Sequence, residues 1–412
     1  MDNVTHSLVG AVVGEWAYRA KTKREASDSK LDDQARRLWL WASVGANNFP
    51  DLDVLYTRIT PGPLGSLLHH RGHTHTFLAV IPQWFIVMAL LWLLAWPLRY
   101  RGLGRAEWRM AGVLAAFGLC LHVLADTWNS YGVHPFWPLS NEWIYGDAVF
   151  IIEPFLWAFF AAAILAFGRT RLRFVPMSLL AILLGAGLYY ELVGARAAIV
   201  AATAAGLSWF FRKRPARTAS LALIIAAVYI LAHLAASRYI RHHVATRAKP
   251  GETVLDVVLS PVPASPLCWF TIRIATAGPV YEVKRGIVSL FPALQAAAAC
   301  PDLGRLSAAG PQERALETLG PIQAGWGETY KTELSNFEVL KDHCPYRAWM
   351  RFARVPFITA DGATDLRFSR RGMRNFADLS GGDPSACPPN IPPWVPPRLD
   401  VIKLVGGEAW FD

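Results

Sequence analysis

Three long stretches of this chain contain no Asp, Glu, Lys or Arg: 77–98, 174–190 and 219–237. Such stretches restrict the fold more than any motif does. Inside lipid every backbone N–H and C=O must be satisfied within the chain, so a lone span is a helix. About 20 apolar residues of helix cross the hydrocarbon core. Three further stretches approach that standard: 110–125 carries only His122, 148–167 holds one acid, Glu153, and 197–211 is uncharged. Six spans follow. Two apolar stretches before them, 4–14 and 38–49, are too short to cross and read as half-buried or re-entrant helices. The N-terminus has no basic region and His6 interrupts its apolar stretch, so residues 1–17 read as part of the fold and not as a cleavable signal peptide. The fold class is therefore mainly α, a polytopic helical membrane domain of about six spans plus two short N-terminal helices.

The net charge of +10 is unevenly placed, with 25 basic and 14 acidic residues up to position 249 and 16 basic and 17 acidic after it. A nucleic-acid binder needs a basic soluble face, and the tail has none. The excess instead marks cytoplasmic loops. Arg19-Lys21-Lys23-Arg24, Arg99-Arg101-Arg105-Arg109, Arg169-Arg171-Arg173 and Arg212-Lys213-Arg214-Arg217 all fit on one side when the spans alternate, while Arg238, Arg241, Arg247 and Lys249 break the rule mildly. With the clusters in the cytoplasm, His6, Asp51, Asp53, His69 to His75, His122, Asp126, Asp147 and Glu153 all fall at the opposite membrane face. Loop charges set that orientation; the polar residues did not.

The domains divide at 1–245, helical and membrane-bound, and 246–412, a soluble extracytoplasmic α+β or mostly β domain. In the tail, alternation at 254–260, 268–275, 280–290 and 346–358 predicts strands, and Pro311 to Leu319 predicts a short helix. Cys268, Cys300, Cys344 and Cys387 all lie there, whereas Cys120 is alone in a span. Four cysteines in an oxidising compartment suit two disulfides with three possible pairings. No C-x₂-C spacing supports a zinc knuckle. The Pro-rich run 388–397 predicts an extended segment lying over the tail.

Ionisable residues at membrane depth are costly, which makes them functional candidates. His122 and Asp126 are i and i+4, on one helix face. Histidine and carboxylate are zinc ligands, and catalytic centres keep a position for water whose pKa falls to near 7. The candidate ligands are His6, Asp51, Asp53, His69, His70, His75, His122, Asp126 and Asp147, enough for two or three Zn²⁺ ions. Within the run His69-His70-Arg71-Gly72-His73-Thr74-His75-Thr76, His70 and His75 are the favoured ligands, His69 is held in reserve as a ligand or an orienting group, and His73 is incidental. Asp51, Arg71 and Glu153 are the candidate catalytic residues. Arg71 either grips a substrate phosphate or pairs with Asp51 or Asp53. Asp147 is either a ligand or the N-cap of the following helix, and Glu153 either a general base or a buried structural carboxylate.

These residues carry a resemblance. Thr5-His6-Ser7-Leu8-Val9-Gly10, Asn48-Phe49-Pro50-Asp51-Leu52-Asp53, the histidine run, His122-Val123-Leu124-Ala125-Asp126, Ser130-Tyr131-Gly132 and Tyr145-Gly146-Asp147 resemble, in order and spacing, the YdjM-like family of bacterial membrane-bound predicted metal-dependent hydrolases. The resemblance covers roughly residues 1–160. It implies an inner-membrane location and a distant similarity to zinc-dependent phospholipase C, whose His-x-x-x-Asp helix His122 and Asp126 match. Thr76 stands where the family usually has Ser, and His73 where it usually has an apolar residue. Together these features predict a membrane-embedded metal-dependent hydrolase that cleaves a phosphoester of a lipid headgroup at the outer face. The alternative is a non-enzymatic metal-binding protein: transporter, sensor or scaffold. Transport needs polar residues along a path across the bilayer, and here they gather at one face.

Overall fold

The structure is a computed structural model that describes residues 1–22, 29–95, 102–167, 170–190, 193–195, 198–200, 202–203, 206, 214–301, 314–359, 362–369, 375–380 and 387–407. The chain opens with two 20-residue helices, α1 (Asn3–Thr22) and α2 (Ser29–Asn48). Both are longer than the apolar stretches that predict them. The apolar run of α1 stops at Glu15, but the helix continues because Arg19 and Arg36 each lie 2.7 Å from the buried Glu15 carboxylate. Gly10 and Gly14 let α1 and α2 touch: a Cβ at Gly10 would lie 2.9 Å from the Val44 Cα, and one at Gly14 3.1 Å from the Trp39 carbonyl. That spacing is the small-residue seam by which membrane helices approach closely, and its register makes the pair antiparallel.

Helices α3 (Pro63–His69), α4 (Val80–Ala95), α5 (Arg105–Asp126), α6 (Pro154–Phe167), α7 (Val175–Tyr189) and α8 (Pro215–Ala245) follow in the helical part. α5 runs parallel to α2: Trp39 Nε1 donates to the Glu107 carbonyl, and Gly118 meets Ser43, Ala46 and Asn47 near the other end. One apolar core joins α1, α2, α4 and α5, and a second joins α1 to α6, α7 and α8. The start of α1, the end of α2, the start of α4 and the end of α5 therefore lie at one end of the bundle.

Six crossing helices are not found among the described residues. Three are long and apolar enough, Arg105–Asp126, Arg171–Tyr189 and Ala216–Ala245. A fourth is reached only if the segments Pro63–His75 and Val80–Ala95, bent by 83°, count as one broken span. The stretch 148–167 becomes helical only at Pro154, leaving 14 residues, about 21 Å at 1.5 Å per residue and short of the hydrocarbon core. Most of 197–211 lies outside the described residues.

α8 leads into the C-terminal part, a five-stranded antiparallel sheet in the order β1-β2-β3-β5-β4, with β1 Glu252–Val262, β2 Ser265–Ala277, β3 Val280–Ser289, β4 Ala315–Leu319 and β5 Ile322–Glu333. A smaller sheet pairs β6 (Pro356–Thr359), β7 (Gly362–Asp365) and β8 (Leu379–Ser380). Two sequence expectations change here. Residues 315–319 form an edge strand on β5 where a helix is predicted. The first residues of 346–358 belong to a helix, α9 (Cys344–Met350), with Pro345 in its first turn, and only from Pro356 is that stretch a strand. Proline fits that position because its missing N–H would be unsatisfied there anyway. Cys268 pairs with Cys300 and Cys344 with Cys387, while Cys120 is free. The tail's largest core also takes in Leu64, Leu67 and Leu68 of α3 and Tyr131 and Trp143 of the loop after α5. The C-terminal part thus packs on the same end of the bundle where the polar residues gather.

Candidate metal centre

Four side chains from three segments converge at that end: Asp51, His75, His122 and Asp126 each offer a donor atom, all within 4.8 Å of one another. Their placement follows from local structure. α2 ends at Asn48, and Pro50 starts a 3₁₀ turn, Pro50–Leu55, that carries Asp51 and Asp53. His75 closes a second 3₁₀ turn just before α4. His122 and Asp126 occupy the last turn of α5.

The outward ring nitrogens fix what the inward ones can do. His122 Nδ1 lies 2.7 Å from the Asn47 carbonyl, which can only accept, so Nδ1 carries the proton and Nε2 a lone pair. Thr74 Oγ1 donates to Asp53 Oδ2 at 3.0 Å and accepts from His75 Nδ1 at 2.9 Å, leaving the lone pair of that ring on Nε2 as well. The two Nε2 atoms face each other at 3.0 Å, with no proton between them in this arrangement. Asp51 Oδ1 is 3.2 Å from His75 Nε2 and 3.6 Å from His122 Nε2. Asp126 Oδ2 lies 3.3 and 3.6 Å from the same atoms and has no hydrogen-bond partner. Four electron-pair donors aimed at one point, each imidazole held from behind by an acceptor, fit a cation ligand set with its supporting shell.

Charge supports the fit. Asp51, Asp53 and Asp126 face one guanidinium, Arg71, whose Nη2 is 3.3 Å from Asp126 Oδ1, and the Met1 amino group, which also contacts that oxygen. Burial lowers the proton affinity of the Met1 amine. Burial alone would raise the Asp53 carboxyl, but hydrogen bonds from His70 and His75 outweigh it and hold the group below the usual carboxylate range. The centre keeps buried negative charge in excess.

The remaining candidates take other places. His6 stacks on His122 with ring centroids 3.9 Å apart, its Nε2 is 3.5 Å from Asp126 Oδ1, and neither ring nitrogen has a hydrogen-bond partner. Asp53 sits behind the cluster, accepting from Thr74, from the Arg71 backbone N–H at 2.9 Å and lying 2.9 Å from His70 Nδ1. His69 bonds Thr60 at 2.8 Å beneath Tyr56. His73 packs between Trp137 and Trp394. Arg71 pairs with neither Asp51 nor Asp53 through its side chain; it bonds Asn129 Oδ1 and the Met1 carbonyl and lies over Tyr131. Asp147 is not brought to the cluster. Arg354 grips both its oxygens at 2.8 and 2.9 Å, and Arg241 binds it too. Glu153 also stands apart, its Oε1 accepting the Phe155 and Ala264 backbone N–H groups at 3.2 Å. These bonds place Glu153 at the junction of α6 and the β1–β2 hairpin, outside the four converging donors.

Sequence reasoning missed the Asn47 carbonyl, Thr74, the Met1 amino group and His134. The first three act through backbone atoms or a hydroxyl, which no spacing rule marks. His134 is buried and stacks on Trp394 at 3.8 Å; the aromatic density of 134–145 was its only signal. Trp394 also donates to the Leu68 carbonyl at 2.8 Å, so the Pro-rich segment lies over the histidine loop of the helical part.

Residues 1–198, which include all four converging donors, match the family model described as YdjM inner membrane protein. A curated relative, the uncharacterized protein YfhP of Bacillus subtilis (strain 168), is 26% identical over 164 residues, 40% of this chain. The chain matches 45% of that protein's length, less than half. No solved structure matches.

Proposed function

We propose, for a chain whose residues 1–198 belong to the YdjM inner membrane protein family, a metal-dependent hydrolase that cleaves a phosphoester of a lipid headgroup at the membrane face. The observation that carries this reading is the convergence of Asp51, His75, His122 and Asp126 with the lone pairs of both imidazoles turned inward. A divalent ion such as zinc suits these donors. The expected second or third ion would draw on His6 and the other oxygen of Asp126. When bound, such an ion supplies a water that loses its proton near neutral pH.

The chain's own residues do the rest. Asp53 fixes the rings of His70 and His75 and the backbone at Arg71. Arg71 keeps a buried positive charge beside Asp126, with Nε unpartnered, where a phosphoryl oxygen would gain charge. Asp51 is the ligand at the rim, its carboxylate 9% exposed while His75, His122 and Asp126 are closed to solvent. Substrate would therefore approach from the Asp51 side. Two disulfides in the domain on this end of the bundle favour an extracytoplasmic placement of both.

A second reading has its own support: four protein donors complete a tetrahedral shell, the signature of a structural site. The two readings part on one preparation. Purified protein loaded with Co²⁺ should give a coordination number above four and metal-dependent release of headgroup from phospholipid or prenyl phosphate. Four-coordinate cobalt with no release would establish the scaffold, and absence of bound metal would end both readings.

A further inference from the structure

The 3₁₀ turn that carries Asp51 and Asp53 has a second face. Asp53 is 2% exposed, whereas the residues between and after the carboxylates, Leu52, Val54 and Leu55, are 49%, 60% and 78% exposed. Within this one turn the carboxylates are turned inward and the apolar side chains outward. The same division recurs on the other side of the centre. His75 is buried, while Phe77 and Leu78, which follow it, are exposed. The Phe77 backbone N–H bonds the Pro135 carbonyl at 2.9 Å and its ring lies 5.8 Å from Phe136, tying this edge to the turn that presents Leu139, 93% exposed. Phe77 and Leu78 run directly into α4, whose Ile81 and Phe85 are exposed as well.

A soluble surface rarely gathers so many large apolar side chains without a partner. Here the partner is indicated by continuity. α4 is an apolar helix in the part of the chain that matches an inner-membrane family, and the exposed Phe77 and Leu78 continue the exposed face of Ile81 and Phe85 back to His75. We propose that Leu52, Val54, Leu55, Phe77, Leu78 and Leu139 sit among the acyl chains at the edge of one leaflet. The centre then receives its substrate laterally from that leaflet: an amphiphile whose chains stay between the collar side chains while its phosphate reaches Asp51 and Arg71. The substrate half of this statement rests on the hydrolase reading; the membrane half does not.

The test separates the halves. Full-length protein with Cys120→Ser is reconstituted in phosphatidylglycerol–phosphatidylethanolamine vesicles, with a nitroxide at Leu55→Cys or Leu139→Cys and Phe85→Cys as the lipid-facing control. Power saturation should show both collar positions relaxed by oxygen and protected from an aqueous nickel complex, as at position 85. Nickel-accessible positions would overturn the proposal, and so would positions closed to both reagents, because a protein partner would then cover the collar. In the second arm, the double variant Val54→Glu/Leu55→Glu should retain its metal but hydrolyse bilayer phospholipid about tenfold more slowly, since interfacial binding scales with buried apolar area. The loss on a short-chain, monomeric ester should be several-fold smaller. Equal loss on both substrates would refute lateral entry. Absence of hydrolysis by the parent protein, with the collar still in lipid, would instead refute the hydrolase reading alone.

Discussion

Two buried acidic clusters lie at the same end of the helical bundle, and their partners make them opposites. At the centre, Asp51 and Asp126 face His75 and His122, whose lone pairs add to the carboxylate oxygens. At the junction with the C-terminal domain, Asp147 and Asp256 are met by Arg354, Arg241 and Arg398. Arginine brings five donors and a permanent charge, so the junction is complete as it stands. Neutral histidine brings an acceptor, so the centre adds lone pairs to its negative charge, the chemistry of a cation site. A carboxylate becomes a ligand or a clamp according to which of these two faces it, and Asp147, a candidate ligand by sequence, is a clamp.

The largest effect that could break this contrast is on metal content. His122→Ala and His75→Ala should each remove nearly all bound metal and with it any hydrolysis, while Asp147→Asn should leave metal stoichiometry unchanged. Elemental analysis of purified proteins decides. Loss of metal from Asp147→Asn, with the fold intact by circular dichroism, would erase the distinction between the clusters.

Next in size is the reciprocal change at the junction. Arg354→Ala strands Asp147 and Asp256 in a buried site, and removing one partner of such a pair costs about 3–5 kcal/mol. Thermal unfolding should fall accordingly while the metal-to-protein ratio of the folded fraction holds. A variant as stable as the parent would show that Arg241 and Arg398 suffice.

A smaller effect sharpens the distinction within the centre itself. Asp53 touches His70 and His75 but lies outside the four converging donors. Asp53→Asn should weaken metal affinity by about 10–100-fold without abolishing it, the usual range for a group that orients a ligand. Competitive titration with a chelator measures this; a loss as complete as that of His75→Ala would make Asp53 a ligand.

The two clusters were unequally legible. Asp51, His75, His122 and Asp126 stand out because each interrupts or ends an apolar segment, and because i, i+4 spacing puts His122 and Asp126 on one face. Asp147 gave the same signal, but its decisive partner Arg354 is 207 residues away. Glu153 was equally ambiguous, since the Ala264 N–H it accepts is 111 residues distant. Helix length failed for a related reason: Glu15 ends an apolar run, yet Arg36 from the neighbouring helix neutralises it across space. The alternating stretches that predict β1, β2 and β3 are strands, although the sheet is covered on both faces, with Val258, Ile272 and Ile274 in one core and Val257, Leu259 and Trp269 in another. Cys344–Met350 was not, because the adjacent apolar residues Ala348, Trp349 and Met350 suit a buried strand as well as a short helix.

The smallest effect concerns pH and tests the arginine side alone. Hydrogen bonds and charge from Arg273 hold Glu252, at the start of β1, down to about 2 from an ordinary 4.5. Burial would raise Asp256, but the charges of Arg354, Arg398 and Arg241 outweigh it and keep the group below the usual range. Both groups have folded values below their unfolded ones, so the unfolded chain binds more protons in that interval and stability rises with pH there. The stabilisation is complete above about pH 4.5 and is lost as pH falls through the folded values. Unfolding of the C-terminal domain, followed by denaturant titration at constant ionic strength, should therefore have a flat midpoint from neutral pH down to the ordinary carboxylate range and a falling one below it. Arg273→Gln should flatten that fall by removing the main cause of the Glu252 depression. An unchanged acid limb in Arg273→Gln would assign it to Asp256 and the junction, which Arg354→Ala would then remove.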